Sequence, residues 1–270
     1  MARTSRSCGP SSGSTDPSRC NMPRGSARSA VATSASRCGR ANPVLTELSR
    51  RLPVTLTLGT MALVVAILIG VPVGVISAAR PDGVLDFFSR SGAILGLSVP
   101  AFVQAIVIIL VPAIWWGWTP MIRFVAFAKD PLTYLLQFVL PAVILGIASA
   151  AAIMRLTRGM LLEVLRQDYV RTAWAKGIGE RVIVLKHALK NAIIPVITVL
   201  GLQVAQIAGG AVIIETIFSL PGMGQLLVES ILQRDYPVIQ GINLLVVTII
   251  VVTNLGVDLL YAVVDPRIRY

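Results

Sequence analysis

Beyond residue 42 the chain alternates long apolar stretches with shorter polar ones. Five of the apolar stretches, at about residues 53–79, 91–114, 138–154, 193–214 and 237–264, approach the roughly 20 residues a helix needs to cross a bilayer. The pattern predicts an all-α polytopic membrane protein with five transmembrane helices. Residues 43–52, ahead of the first stretch, have the makings of a short amphipathic helix at the membrane surface. Prolines and glycines inside the stretches (Gly70, Pro72, Gly74, Pro100, Pro141, Gly146, Gly209, Gly210) are compatible with packed membrane helices, where small residues let backbones approach.

The longest polar break is residues 155–192. Leu161, Leu165, Tyr169 and Ala173 recur every four residues, which predicts one face of a helix. Gly177 suits a left-handed stop, and Gly179 leaves the turn open for a new start. In a second helical run Val182, Leu185 and Leu189 form a stripe beside Lys186, His187 and Lys190, with Ile183 interrupting the polar side. The chain re-enters apolar sequence through Pro195. A short helix with an apolar face and a basic flank fits insertion into a partner's groove. It fits equally a hairpin lying on anionic lipid.

Composition agrees with a membrane chain: 55% of residues are hydrophobic and 14% charged, and the mean hydropathy is +0.77. The net charge of +11 does not indicate nucleic-acid binding, because the basic residues alternate with spans instead of covering one face. Their distribution sets orientation instead. The segments 80–90 and 155–192 and the C-terminal tail together hold twelve Lys and Arg, against three in the intervening loops. The polar break and the C-terminus are therefore expected in the cytoplasm. Five spans then place the N-terminus outside, although residues 1–52 carry nine arginines. Residues 1–41 are rich in Ser, Arg, Ala, Gly and Pro without an apolar run, the composition of a disordered segment. The conflict points to a misassigned start and a missing span before Pro43.

No G-x-x-x-x-G-K-[ST] loop, H-E-x-x-H or G-x-S-x-G occurs, and Gly177-Ile178-Gly179 is too short for a dinucleotide fingerprint. Cys8, Cys20 and Cys38 match no zinc spacing, and His187 is the single histidine. No metal or cofactor site and no enzyme activity are expected of this chain. Within the apolar cores the only ionisable side chain is Asp258, with Glu215 at the end of the fourth. Ion-coupled carriers usually keep several such groups, so energy is expected from elsewhere. Asp258 reads as an interfacial or interhelical hydrogen-bonding group and Glu215 as a solvated carboxylate at the membrane boundary. Gln203 and Gln206 either face a substrate pathway or bond between helices.

Residues 169–177 read YVRTAWAKG and residues 187–195 read HALKNAIIP. With ETIFSLPGMGQLLVESILQRDYPVIQG at 215–241 and VDLLYAVVDPRIRY at 257–270, the chain resembles the permease subunits of binding-protein-dependent ABC importers. The likeness is to the dipeptide/oligopeptide/nickel branch and runs from about Pro43 to Tyr270. It implies an importer transmembrane domain over 42–270 in a bacterial cytoplasmic (inner) membrane. Its implied partners are a second homologous permease, two cytoplasmic ATPase subunits that bind ATP and Mg, and an extracytoplasmic substrate-binding protein. It further implies a coupling loop whose working residues are Tyr169, Arg171, Thr172, Ala173, Ala175, Lys176, Gly177, His187, Asn191 and Pro195. Members of this type usually have six spans. A carrier or channel without an ATPase is the alternative function, and nickel or a nickel chelate the alternative substrate.

Overall fold

In the computed structural model, residues 36–37, 40–118 and 124–264 are described. The expectations for residues 1–35 and for the C-terminal residues 265–270 lie outside them. Two short antiparallel strands, β1 (Ser36–Arg37) and β2 (Arg40–Pro43), lead into α1 (Val44–Ala79). There follow α2 (Val84–Ser98), α3 (Ala101–Trp116), α4 (Pro131–Leu165), α5 (Asp168–Ala175) and α6 (Glu180–Val182). A π-helical turn (Ile183–Ala188) joins α6 to α7 (Leu189–Ile217), and α8 (Met223–Leu232) and α9 (Tyr236–Val264) complete the described chain. Four of these helical stretches are long and apolar enough to cross a membrane, and α2 with α3 makes a fifth if the bent pair is one span.

That bend changes the second predicted span. The pattern at 91–114 reads as one helix, but α2 and α3 meet at 96°. Pro100 lacks an N–H and drives Val99 into extended backbone (φ −97°, ψ 118°), so the helix stops and restarts. Gln104 stabilises the corner: its Nε2 donates to the Val99 carbonyl (2.8 Å) and the Gly96 carbonyl (3.3 Å), occupying acceptors that the helix end leaves open.

The other predicted spans prove longer than the apolar windows. Residues 43–52 form no separate surface helix: α1 runs unbroken through Pro53 for 36 residues, about 54 Å at 1.5 Å per residue. At Asp130 the side chain accepts from the Leu132 and Thr133 amides, with Pro131 at the first helical position. This is a strong helix start, so α4 begins seven residues before the predicted boundary. The Thr133 hydroxyl and amide hold the exposed Asp130 carboxyl below the usual carboxylate range. α4 also continues to Leu165, taking in Arg155 and Arg158.

The centre of the fold is the parallel pair α1 and α4. Val54, Leu58, Ala62, Ala66, Gly70, Gly74 and Ala78 are all buried, a ridge repeating every four residues that packs most extensively on α4. A Cβ at Gly70 would lie 2.8 Å from the Ala150 carbonyl oxygen, and one at Gly146 would lie 2.8 Å from that of Ala62. These glycines therefore serve backbone approach between helices, whereas a Cβ at Gly209 would meet no other helix among the described residues. α7 runs antiparallel against this pair and α9 against α7. Tyr134 and Phe138 fill the core where α1, α4 and α7 meet.

Overpacking a close contact typically costs about 1–3 kcal/mol. Gly70→Ala should therefore lower the thermal unfolding temperature of the detergent-solubilised protein, with Gly209→Ala as the neutral control. Thr157 makes the opposite prediction: among the described residues its buried hydroxyl has no hydrogen-bond partner, so Thr157→Val should raise stability by about 1 kcal/mol in the same measurement.

Candidate functional site

The polar segment 166–188 folds into a hairpin at one end of the bundle. The predicted face Leu161–Leu165–Tyr169–Ala173 is not one helix, because the chain breaks at Arg166–Gln167 and restarts as α5. α5 ends as expected. Gly177 has φ +75°, its amide donates to Trp174 O (2.9 Å), and the Ile178 amide donates to Ala173 O (3.3 Å). This is the paired bonding of a Schellman stop. Gly179, with ordinary backbone angles (φ −64°, ψ 143°), caps the next helix. Val170 and Ala173 face inward and meet Ile183, with Leu165 and Ile178 alongside.

In the second run the buried side is the reverse of the predicted stripe. Ile183, Val184 and Ala188 are buried, while Val182 and Leu185 are exposed and Leu189 is half-buried. The wide π turn over Ile183–Ala188 rotates the side chains away from the 3.6-residue register on which the prediction rested. Nor is there a loop before the fourth span: helix continues from the turn through Pro195 to Ile217.

Three of the sequence-derived residues converge. Asn191 Nδ2 donates to the Tyr169 hydroxyl (2.8 Å), which reaches the His187 carbonyl (3.5 Å), tying α5 to the start of α7. Ala173 is buried under α5 and Pro195 is half-buried within α7. Arg171, Thr172, Ala175, Lys176 and Gly177 lie on the exposed side. There the Arg171–Asp168 pair at 3.7 Å is fully solvated and contributes little. Trp174, which the motif did not single out, is half-exposed on the same side. It borders a cleft of about 510 Å³ shared with Asp82, Arg158 and Glu180.

Beneath the hairpin lies an ion pair that sequence reasoning missed. Arg158 of α4 donates through Nε and Nη2 to the two carboxylate oxygens of Asp86 on α2, both at 2.8 Å. Arg158 Nε also reaches Ser77 of α1 at 3.1 Å. The Ser77 hydroxyl and the Asp82 amide complete the shell around Asp86, which is 1% exposed. The fork joins α1, α2 and α4 where the hairpin leaves the bundle. By pattern Asp86 belonged to a charged loop and Arg158 to a run of loop cations. The one available signal was an acidic residue opening an apolar helix.

The remaining candidates separate. Gln203 is buried and donates to the Ser149 carbonyl of α4 (3.3 Å). Gln206 is exposed on α7, and Asp258 is exposed on α9 with no interhelical hydrogen bond among the described residues, which leaves the interfacial reading of it. Glu215 is fully buried, so it is not a solvated carboxylate. Among the described residues no group of His, Cys, Asp or Glu could hold a metal ion.

Residues 70–270 match the family model described as binding-protein-dependent transport system inner membrane component. The chain belongs to that family. It is 42% identical over 228 residues to a Brucella abortus protein named provisionally as a peptide transport system permease, covering 84% of this chain and 73% of that one. It is 41% identical over 251 residues to the dipeptide transport system permease protein DppB of Escherichia coli, with 84% and 74% covered. An inward-facing structure of the MetNI methionine ABC transporter shares the fold, with a TM-score of 0.66 at 18% identity over 84% of this chain and all of that one. The chain is thus an inner membrane transport component and not a catalytic subunit.

Removing one partner of a buried ion pair costs about 3–5 kcal/mol, whereas an apolar replacement of both is often neutral. Asp86→Asn should therefore lower the melting temperature of the purified family member sharply. The double change Asp86→Leu with Arg158→Met should recover most of the loss in the same thermal scan.

Proposed function

We propose that the chain is one of two homologous permease subunits of an ATP-driven importer that carries di- or oligopeptides across the inner membrane. The observation that supports this most is the build of α5. Its inward side is fixed by Val170 and Ala173, its end by Gly177 and its start by the Tyr169 hydroxyl, while Arg171, Trp174 and Lys176 are exposed. A rigid, partly apolar, basic helix anchored in this way fits the groove of a partner better than a lipid surface, which requires no such fixed geometry.

The excess of Lys and Arg supports a cytoplasmic position for this hairpin and the C-terminus. Two ATPase subunits there bind ATP and Mg, and this chain holds no cofactor. Residues 171–177 receive the movement of the ATPase groove, with His187, Asn191 and Pro195 as support. α7 and the α1–α4 pair carry the movement as rigid bodies between outward- and inward-facing states. A binding protein delivers substrate at the opposite face, and lipid covers the exposed apolar sides of α3 and α9. The peptide assignment rests on the names of the relatives and on the low charge of the spans. Gln206 is the better pathway candidate, since Gln203 bonds to α4.

The test is purification with the neighbouring ATPases, reconstitution, and uptake of a labelled dipeptide. Gly177→Val forces a β-branched residue into φ +75°, a left-handed conformation that disfavours such side chains. Uptake should fall by about tenfold or more, as expected for a loss above about 1.4 kcal/mol, while ATP hydrolysis persists. Gly179→Ala should be neutral, because its backbone is ordinary and, among the described residues beyond its chain neighbours, no atom lies within 4 Å of the added carbon. Uptake driven by an ion gradient without ATPase partners would overturn the importer reading. Transport of nickel chelates in place of peptides would change the substrate alone.

A further inference from the structure

At the other end of the bundle, α8 is capped entirely by residues from two different spans. Its own N-cap, Gly222, offers no side-chain bond. Instead Glu215, near the end of α7, accepts from the Gly224 amide (2.7 Å) and the Gln225 amide (3.2 Å) through Oε2. The Met223 amide donates to the hydroxyl of Thr55 on α1 (2.8 Å), and that hydroxyl donates to Glu215 Oε1 (2.6 Å). The Glu215 side chain is fully buried, and the surroundings are shaped around it. A side chain at Gly222 would overlap its carboxyl, and one at Gly224 would come within 2.5 Å of Val212 Cα. A second tie runs from Arg51 of α1 to Glu229 of α8 (3.5 Å).

Helix amides left open at an N-terminus need an acceptor, and a carboxylate there is stabilised further by the helix dipole. Here the acceptors come from α1 and α7 together, so the clamp is complete only in one relative placement of those spans. α7 is also the helix that begins, through the π turn, beside α5.

We propose that Glu215 and Thr55 are positioning residues that make α8 follow the relative placement of α7 and α1. A displacement begun at the hairpin then reaches the opposite face through α7. This rests on the importer reading for its source of motion, but the anchor itself is testable without it.

In the purified full chain, hydrogen exchange at the first-turn amides of α8 should rise by about tenfold or more in Glu215→Gln and in Thr55→Val, as expected when a charged or buried hydrogen bond is lost. Thr55→Ser should match the parent. In the reconstituted complex, Leu232→Cys at an exposed position, combined with Cys8→Ser, Cys20→Ser and Cys38→Ser, is labelled by a membrane-impermeant maleimide. The rate should differ between the resting and the ATP–vanadate-trapped states. That difference should vanish in Thr55→Val and persist in Thr55→Ser, with the ATPase still co-purifying in both. Unchanged exchange in both disruptive variants overturns the anchor. A labelling rate that is the same in the two states of the parent, or a difference that survives Thr55→Val, overturns the transmission. Absence of ATPase from the parent complex overturns the importer reading instead, and the exchange result still decides the anchor.

Discussion

Backbone contact between α1 and α4 is the constraint from which the arrangement of the other helices follows. In lipid there is no hydrophobic gain in bringing one apolar helix against another, so association depends on close van der Waals packing and interhelical bonds. The ridge from Leu58 through Ala62, Ala66, Gly70 and Gly74 to Ala78 meets that requirement by exposing backbone at four-residue intervals. It holds two long helices parallel and in register. α7 packs across both, and the two ends of the bundle are thereby defined.

Each end is then finished by polar chemistry. At the hairpin end, the Asp86–Arg158–Ser77 group fixes α2 to α1 and α4. At the far end Glu215 and Thr55 hold α8 to α7 and α1. Both carboxylates are buried, and both are surrounded by donors from more than one helix. A buried charge is tolerable only under that condition. These groups tie the helices together at the ends, while the middle relies on small residues.

Much of this was legible in the residues. Apolar run length predicted the number of crossing segments, counting the bent pair α2–α3 once. Gly177 predicted a left-handed stop because few other residues adopt that backbone, and the structure has φ +75° there. The Asp130–Pro131 helix start went unread, because hydropathy alone set the boundary seven residues later. The motif residues Tyr169, His187 and Asn191, separate in sequence, meet through one hydroxyl.

What the residues determined by themselves was local: which segments are apolar, where backbone geometry needs glycine, and where proline removes a donor. Only the tertiary structure decided that Pro100 turns the chain by 96° instead of kinking one span. The same holds for the π turn, which buries Ile183 and Val184 in place of Val182 and Leu185. It also decided that Asp86 and Glu215 are interior groups. The physical reason is that a carboxylate's burial depends on donors brought from distant helices, Arg158 in one case and Thr55 with the α8 amides in the other. No pattern within a single segment records that partnership.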